Sequence, residues 1–243
     1  SFIVEVEPEE KKRFYLTASA GETFSEVAEI QNSLSSENSI EKSYLEALEL
    51  RENIINSFYS KNKGLRRRDW LNWLITAAES FVVARKSTGR RSIIAGYHWF
   101  EDWGRDAFIS LPGLTLVTGR FRDAEDVLLS FSSYCKKGLM PIRFPDREGD
   151  KPSYESVDTT LWFFNAVLQY LKYTGNFEFV RKELWETMRS VIEEHVQGTL
   201  FCIRLDEDGL LAHGTRSTWM DAAVEGKPVT PRDGKAVEVQ ALW

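Results

Sequence analysis

The sequence predicts a mostly helical protein in which two layers of helices pack against each other. Several helix-like segments carry their apolar residues in one stripe, which is typical of helices with one face in solvent. By contrast, residues 161–171 (LWFFNAVLQYL) are apolar nearly all round and need cover on most sides. The mixture favours an inner layer of buried helices behind an outer amphipathic layer. A helical toroid satisfies this pattern, and so does an irregular helical bundle.

The first 24 residues differ from the rest. Residues 2–6 (FIVEV) alternate apolar and polar towards their end, and residues 13–19 (RFYLTAS) are β-prone. Two strands do not make a stable sheet alone. We therefore expect residues 1–24 to be the last strands of an N-terminal β-sandwich domain whose earlier strands lie outside this chain.

Residues 25–69 are predicted to be linker helices with a polar break at 32–39 (NSLSSENS). An amphipathic helix is predicted from Ile40 to Phe58. Its apolar positions are Tyr44, Leu45, Leu48, Ile54, Ile55 and Phe58. The basic run at 61–68 (KNKGLRRR) is interpreted as a solvated connector.

Capping signals divide the region from 70 to 243 into further helices. Three polar residues are predicted N-caps: Asp123, Asp158 and Asn176. Gly198 is predicted to end the helix that Asn176 starts. Pro112 should kink or end the apolar run 105–117. A last helix is predicted to begin near Lys235.

The composition argues against several kinds of binding partner. The net charge of −6 over 243 residues argues against a nucleic-acid partner. No apolar run reaches the ~20 residues that span a bilayer, and no signal peptide opens the chain, so we expect no membrane partner and residence in the cytoplasm. Cys135 and Cys202 are too few for a metal cluster, and free buried thiols are the favoured interpretation.

Four segments combine aromatic residues with Arg, Asp and Glu: 97–108 (YHWFEDWGRDAF), 140–146 (MPIRFPD), 154–164 (YESVDTTLWFF) and 213–243. Most lie where a loop meets a helix start, so parallel helices would bring them to one face. Indole faces stack on sugars, while carboxylates and guanidinium groups bind sugar hydroxyls. A glycosidase also needs two carboxyl groups, one of them protonated. Asp221 follows Trp219 and Met220, and an apolar setting suits the protonated role. These residues predict a sugar-active helical enzyme.

Each residue taken alone also has a structural interpretation. Three tryptophans could be core residues: Trp99, Trp103 and Trp162. Arg105 and Asp106 could form a structural ion pair, and His213 could be a hydrogen-bonding loop residue. The co-occurrence of these residue types in four separate segments favours the sugar site.

Four motifs together resemble the glycogen debranching enzyme family, and within it the prokaryotic type of amylo-α-1,6-glucosidase catalytic domain. The motifs are FEDWGRDAFISLPGL (100–114), VDTTLWFFNAV (157–167), TWMDA (218–222) and TPRDGKAVEVQALW (230–243). The resemblance covers about residues 70–243. It implies an (α/α)6 barrel and an inverting hydrolase that removes α-1,6-linked glucose from debranched glycogen or related α-glucans. It implies no metal and no organic cofactor.

The resemblance also implies roles for individual residues. Asp221 matches the general acid. Trp103, Arg105 and Asp106 match the segment that grips the terminal glucose. The other implied substrate-binding residues are Arg143, Asp158, Trp162, His213, Trp219, Arg232 and Glu238.

A complete barrel of twelve helices needs roughly twice the residues available between 70 and 243. We therefore expect about the first half of the barrel here, with the other half supplied in cis or in trans and the general base beyond Trp243. Half a barrel would expose apolar surface, so the isolated chain is expected to be inactive and to aggregate or pair. Two alternatives stay open: another (α/α)6 glycosidase, glucoamylase-like or trehalase-like, and a non-catalytic glucan-binding half-barrel.

Overall fold

A computed structural model of the chain describes residues 5–145 and 151–243. Helices dominate, as predicted. They are α1 (Phe24–Ser33), α2 (Glu37–Lys61), α3 (Asp69–Ser80), α4 (Gly104–Leu111), α5 (Phe121–Ser133), α6 (Val157–Thr174), α7 (Phe177–Phe179), α8 (Trp185–Gln197) and α9 (Val237–Leu242). Two π-helical turns extend them: Pro112–Leu116 follows α4, and Val180–Leu184 joins α7 to α8.

Four short antiparallel strand pairs accompany the helices in the described part of the chain. They are β1 (Val82–Arg85) with β2 (Arg90–Ile93), β3 (Asp102–Trp103) with β4 (Arg143–Phe144), β5 (Arg204–Leu205) with β6 (Leu211–Ala212), and β7 (Ala223–Val224) with β8 (Lys227–Pro228). The strand predicted at 13–19 is not formed: these residues are irregular, and none of the described strands pairs with them. An unpaired strand leaves its backbone groups unsatisfied by the chain. Most of the strand predicted at 2–6 lies outside the described residues.

The chain divides into two compact units, residues 1–56 and residues 57–243, with the division inside α2. In the first unit, α1 begins at Thr23, whose hydroxyl accepts a hydrogen bond from the Glu26 amide at 3.2 Å. The apolar stripe predicted on α2 is only partly buried. Tyr44, Leu45 and Leu48 are exposed, so the amphipathic pattern there does not mark a buried face.

The main core of the second unit lies among α4, α5, α6 and α8. Phe108 packs its ring edge-on against Phe131 and Phe163, with centroids 4.8 and 5.5 Å apart. A smaller core joins the start of α6 to α9 through Val157 and Val239. Because α6 packs against α4 and α5 on one side and α9 on another, its sequence is apolar nearly all round.

Two of the three predicted N-caps are wrong by two or three residues. Ser156 caps α6, since its hydroxyl accepts the Thr159 amide at 3.3 Å. The helix α5 begins after Arg120, whose Nε donates to the Asp123 carboxylate at 2.6 Å. Asp123 and Asp158 instead occupy first turns, where negative charge is also stabilising.

Other predicted helix ends are confirmed. Asn176 caps the α7–α8 helix through its side chain, and Gly198 follows the last helical residue. Pro112 ends α4 and the chain continues as a π turn. Both cysteines are free, although Cys202 is exposed rather than buried. None of the helices in the described residues is long and apolar enough to cross a membrane.

Candidate functional site

An ion pair joins the start of α4 to the start of α6. The Arg105 guanidinium donates from Nε and Nη2 to the two carboxylate oxygens of Asp158, each at 3.0 Å. Asp158 is buried and also accepts a hydrogen bond from the Ser156 hydroxyl at 2.6 Å. A bidentate ion pair of this kind fixes the orientation of both side chains. Arg105 is therefore paired with Asp158 rather than with Asp106.

A second group of side chains forms across the β3–β4 pair. Trp103 stands opposite Arg143 in this register. The Arg143 guanidinium lies 5.7 Å from the Trp103 ring centre, and its Nη1 is 2.6 Å from the Glu101 carboxylate. Two of the predicted segments, 97–108 and 140–146, are thus brought together by two strand residues from each.

The β1–β2 hairpin holds this strand pair through one arginine, whose side chain is 10% exposed. Arg85 donates from Nη1 to the Asp102 carboxylate at 2.5 Å and from Nη2 to the Pro145 carbonyl at 2.7 Å. Asp102 is 1% exposed and also accepts from the Ser92 hydroxyl at 2.6 Å. One guanidinium therefore contacts the β3 side and the β4 side at once. Sequence reasoning missed Arg85, since no motif marks it.

Gly104 allows α4 to start against its neighbours. A Cβ at this position would lie 2.6 Å from the Pro141 carbonyl oxygen and 2.7 Å from Cγ2 of Thr159. The Gly104 amide also donates to the Ile142 carbonyl at 2.6 Å. Any larger residue would push α4 away from the start of α6, which explains the glycine in WGRD.

The last two motifs meet at Glu238 in the first turn of α9. Its carboxylate accepts hydrogen bonds from Trp219 Nε1 at 3.2 Å and from Arg232 Nη2 at 2.8 Å. The Arg232 guanidinium also lies 5.5 Å from the Trp219 ring centre. Hydrogen bonding to Arg232 holds the pKa of Glu238 below its usual value. Hydrogen bonding to Glu238 raises the pKa of Arg232 above its usual value, and the charge of Asp158 acts in the same direction.

Two predicted pocket residues have other surroundings. His213 is buried, its Nε2 accepts the Ala236 amide at 3.3 Å, and its Nδ1 lies 3.0 Å from the Gly214 carbonyl oxygen. These contacts give His213 the loop-bonding role that was the alternative interpretation. Trp162 is half-buried and packs against the main core.

Asp221 lies two residues beyond Trp219 and is partly exposed. Its main-chain carbonyl accepts a hydrogen bond from Arg216 Nε at 3.0 Å. Within residues 5–145 and 151–243, its carboxylate has no hydrogen-bond or ion-pair partner. A carboxyl group in this state can exchange a proton with a ligand without breaking a protein contact.

Asp106 lies beside Arg105 on the wall of an open cleft of about 330 Å³. The rest of the wall is mostly apolar: Phe81, Ile94, Ala95, Ile109, Ser110 and Leu114. Partial burial in this cleft raises the pKa of Asp106 above its usual value, although Arg105 acts in the opposite direction. An unfavourably placed charge of this kind is typical of a functional site.

Replacing Asp106 with Asn is expected to stabilise the protein slightly at neutral pH. Because the folded-state pKa is raised, the folded protein holds this proton more tightly than the unfolded chain does. The Asp106 carboxyl group therefore adds to the free energy of unfolding at pH values below its unfolded-state pKa. This contribution is lost as pH rises through its folded-state pKa. The gain for Asp106→Asn should stay below about 1 kcal/mol, since the carboxyl group keeps solvent access. Thermal melts between pH 3 and 8 would check this, and a gain independent of pH would contradict it.

The geometry thus gathers seven of the eleven predicted site residues into three groups: Arg105 with Asp158, Trp103 with Arg143, and Trp219 with Arg232 and Glu238. Arg105, Asp158, Arg232 and Glu238 supply paired charges at the starts of α4, α6 and α9. Trp103 and Trp219 each add an aromatic ring beside a guanidinium. Together these groups can bind a polyhydroxylated ligand. In the described residues no three His, Cys, Asp or Glu side chains are grouped as a metal ion requires.

Comparison with known proteins agrees with this chemistry. Residues 76–243 match the family model described as amylo-alpha-1,6-glucosidase. The chain is also 28% identical over 202 residues to the glycogen debranching enzyme of Saccharomyces cerevisiae. That similarity covers 60% of this chain and 13% of the yeast enzyme, so the chain spans a small part of that relative.

Proposed function

The chain belongs to the amylo-α-1,6-glucosidase family, and we propose that it forms part of a glycoside hydrolase acting on glycogen-like α-glucans. The reaction proposed is removal of single α-1,6-linked glucose residues from debranched glycogen or related glucans, with inversion at the anomeric carbon. The observation that carries the proposal is the convergence of paired charges and aromatic rings at the starts of α4, α6 and α9, inside the family match.

The fixed ion pairs suit recognition of a terminal glucose. Buried Asp158 holds Arg105 in one orientation, so the remaining donors of the partly exposed guanidinium are presented to sugar hydroxyls without further ordering. Trp103 and Trp219 supply ring faces for the C–H face of the sugar. Because Arg232 keeps Glu238 ionised, this second pair stays charged through the neutral and mildly acidic pH range.

Asp221 is the proposed general acid. In an inverting reaction the acid gives its proton to the leaving glycosidic oxygen as that bond breaks. A second carboxylate takes a proton from the water that attacks the opposite face, with about 6.5–9.5 Å between the two carboxyl groups. We assign this base to a glutamate outside the present chain. The unpartnered carboxylate of Asp221 is consistent with a role that alternates between protonated and ionised states.

The proposed architecture is an (α/α)6 barrel of which this chain supplies the first part. Three observations support it. The helices α4, α6 and α9 are neighbours in that order, and their first residues meet at the site. Between them in sequence lie α5 and α8, each of which buries only one face. An apolar groove of about 500 Å³ lies between α6 and the α7–α8 helix, which suits further helices packing there. The remaining half would come in cis or in trans.

Glucose release tests the proposal in the natural protein that carries this sequence. A maltooligosaccharide with one α-1,6-linked glucose is compared with a linear maltooligosaccharide and with trehalose. We expect glucose from the branched substrate alone, appearing first as the β-anomer in proton NMR. Glucose from the linear chain would indicate a glucoamylase-like enzyme, and glucose from trehalose a trehalase-like one. Binding without any release would indicate a non-catalytic glucan-binding protein.

A further inference from the structure

Residues 96–100 (GYHWF) place aromatic rings in solvent directly before the site. Trp99 is 86% exposed, Phe100 57% and Tyr97 52%. Core packing, the structural alternative for Trp99, is therefore wrong. Solvent-exposed aromatic rings grouped in one loop are typical of surfaces that bind a ligand.

Hydrogen bonds within the chain hold the 96–100 loop in place. The Phe100 amide donates to the Gly96 carbonyl at 3.1 Å, and the Ala95 amide donates to the Glu101 carbonyl at 3.0 Å. The Tyr97 hydroxyl donates to the Ser80 carbonyl at the end of α3 at 2.5 Å. The loop backbone and the Tyr97 ring are therefore held before a ligand binds and lose little conformational freedom on binding.

The loop also continues directly into the proposed glucose site. Glu101 closes the loop through its carbonyl and pairs with Arg143 through its carboxylate. Arg143 in turn lies over the Trp103 ring. A sugar held at Trp103 would therefore have the exposed rings of the 96–100 loop next to it along the chain.

We propose that Tyr97, Trp99 and Phe100 bind the α-1,4-linked glucan chain that carries the glucose to be removed. This inference rests on the proposed function and adds a surface for the remainder of the substrate. An α-1,4-glucan offers an apolar C–H face on its sugars, which an exposed aromatic ring can cover.

Trp99→Ala and Trp70→Ala form the matched pair for the test. Trp70 is an exposed tryptophan on α3, 63% accessible, outside the loop and the site. In the natural protein, calorimetric titration with maltoheptaose is compared with titration with glucose. Trp99→Ala is expected to raise the Kd for maltoheptaose about tenfold, as loss of one aromatic contact does. It should leave the Kd for glucose unchanged. Trp70→Ala should change neither value, and Trp99→Phe should retain most of the affinity.

Three results would overturn the inference. Equal maltoheptaose affinities for Trp99→Ala and Trp70→Ala would remove the surface while leaving the proposed function intact. A much larger fall in melting temperature for Trp99→Ala than for Trp70→Ala would mean that the ring covers protein rather than sugar. A wild-type protein that does not bind maltoheptaose would also exclude the surface, and glucose release from the branched substrate would then decide the proposed function separately.

Discussion

The Asp221→Asn variant of the natural protein should lose about 10²–10⁴-fold in kcat for release of α-1,6-linked glucose, the range that a general acid contributes. Asn has the same shape as Asp but no proton to give to the leaving oxygen. Substrate affinity should stay near the wild-type value, because the Asp221 carboxylate has no partner among residues 5–145 and 151–243 whose loss would disturb the site. Steady-state glucose release and a binding titration with the same substrate would separate the two quantities.

A substrate whose leaving group departs without protonation tests the general-acid role of Asp221 more directly. Fluoride departs without protonation, so α-glucosyl fluoride needs little help from a general acid. Asp221→Asn should therefore lose far less rate on the fluoride than on the branched glucan. Glu207→Gln, at an exposed carboxylate, serves as the control and should leave both rates unchanged. Equal losses on both substrates would contradict the acid role, and so would an unaffected kcat.

The sequence predicted candidate site residues but not the side chains with which they pair. Motif resemblance identified Arg105 and Asp158, yet their pairing joins positions 53 residues apart. Nothing local to either residue encodes that distance. Asp158 was predicted as an N-cap because an aspartate before an apolar helix usually is one. Ser156 takes that role, and its hydroxyl also donates to Asp158, so the cap and the ion pair share one network.

Local sequence patterns predicted a helix correctly where capping residues mark both of its ends. The α7–α8 helix has a capping Asn176 and a closing Gly198, and both were found in the structure. The β1–β2 hairpin was missed because its strands are short and lie beside the end of α3. For His213 the sequence left two interpretations open, because a histidine in a motif-rich loop has the same sequence signature whether it faces a ligand or its own backbone.

Replacing Arg85 with Met should cost about 3–5 kcal/mol in the free energy of unfolding, the cost of breaking a buried ion pair on one side. Met keeps the apolar stem of the side chain but removes the guanidinium from Asp102, which is 1% exposed. The same change removes the hydrogen bond to the Pro145 carbonyl, so the β3–β4 pair should loosen. Urea unfolding at pH 7 measures the loss, and a higher KM for the branched glucan would report the effect on Trp103 and Arg143.

Arg189→Met is the matched control, because Arg189 also pairs with two carboxylates, at 2.6 and 3.1 Å, but its side chain is 54% exposed. An exposed ion pair contributes little to the free energy of unfolding, so this variant should unfold almost as the wild type does. Adding Asp102→Asn to Arg85→Met removes the unpaired charge and should recover part of the lost stability. If Arg85→Met and Arg189→Met cost the same, burial of the pair does not govern its energetics. If the double variant recovers nothing, the loss comes from packing and the Pro145 contact instead. Only a large single-variant loss with partial recovery would establish Arg85 as the group that neutralises Asp102 and positions the strand pair behind the site.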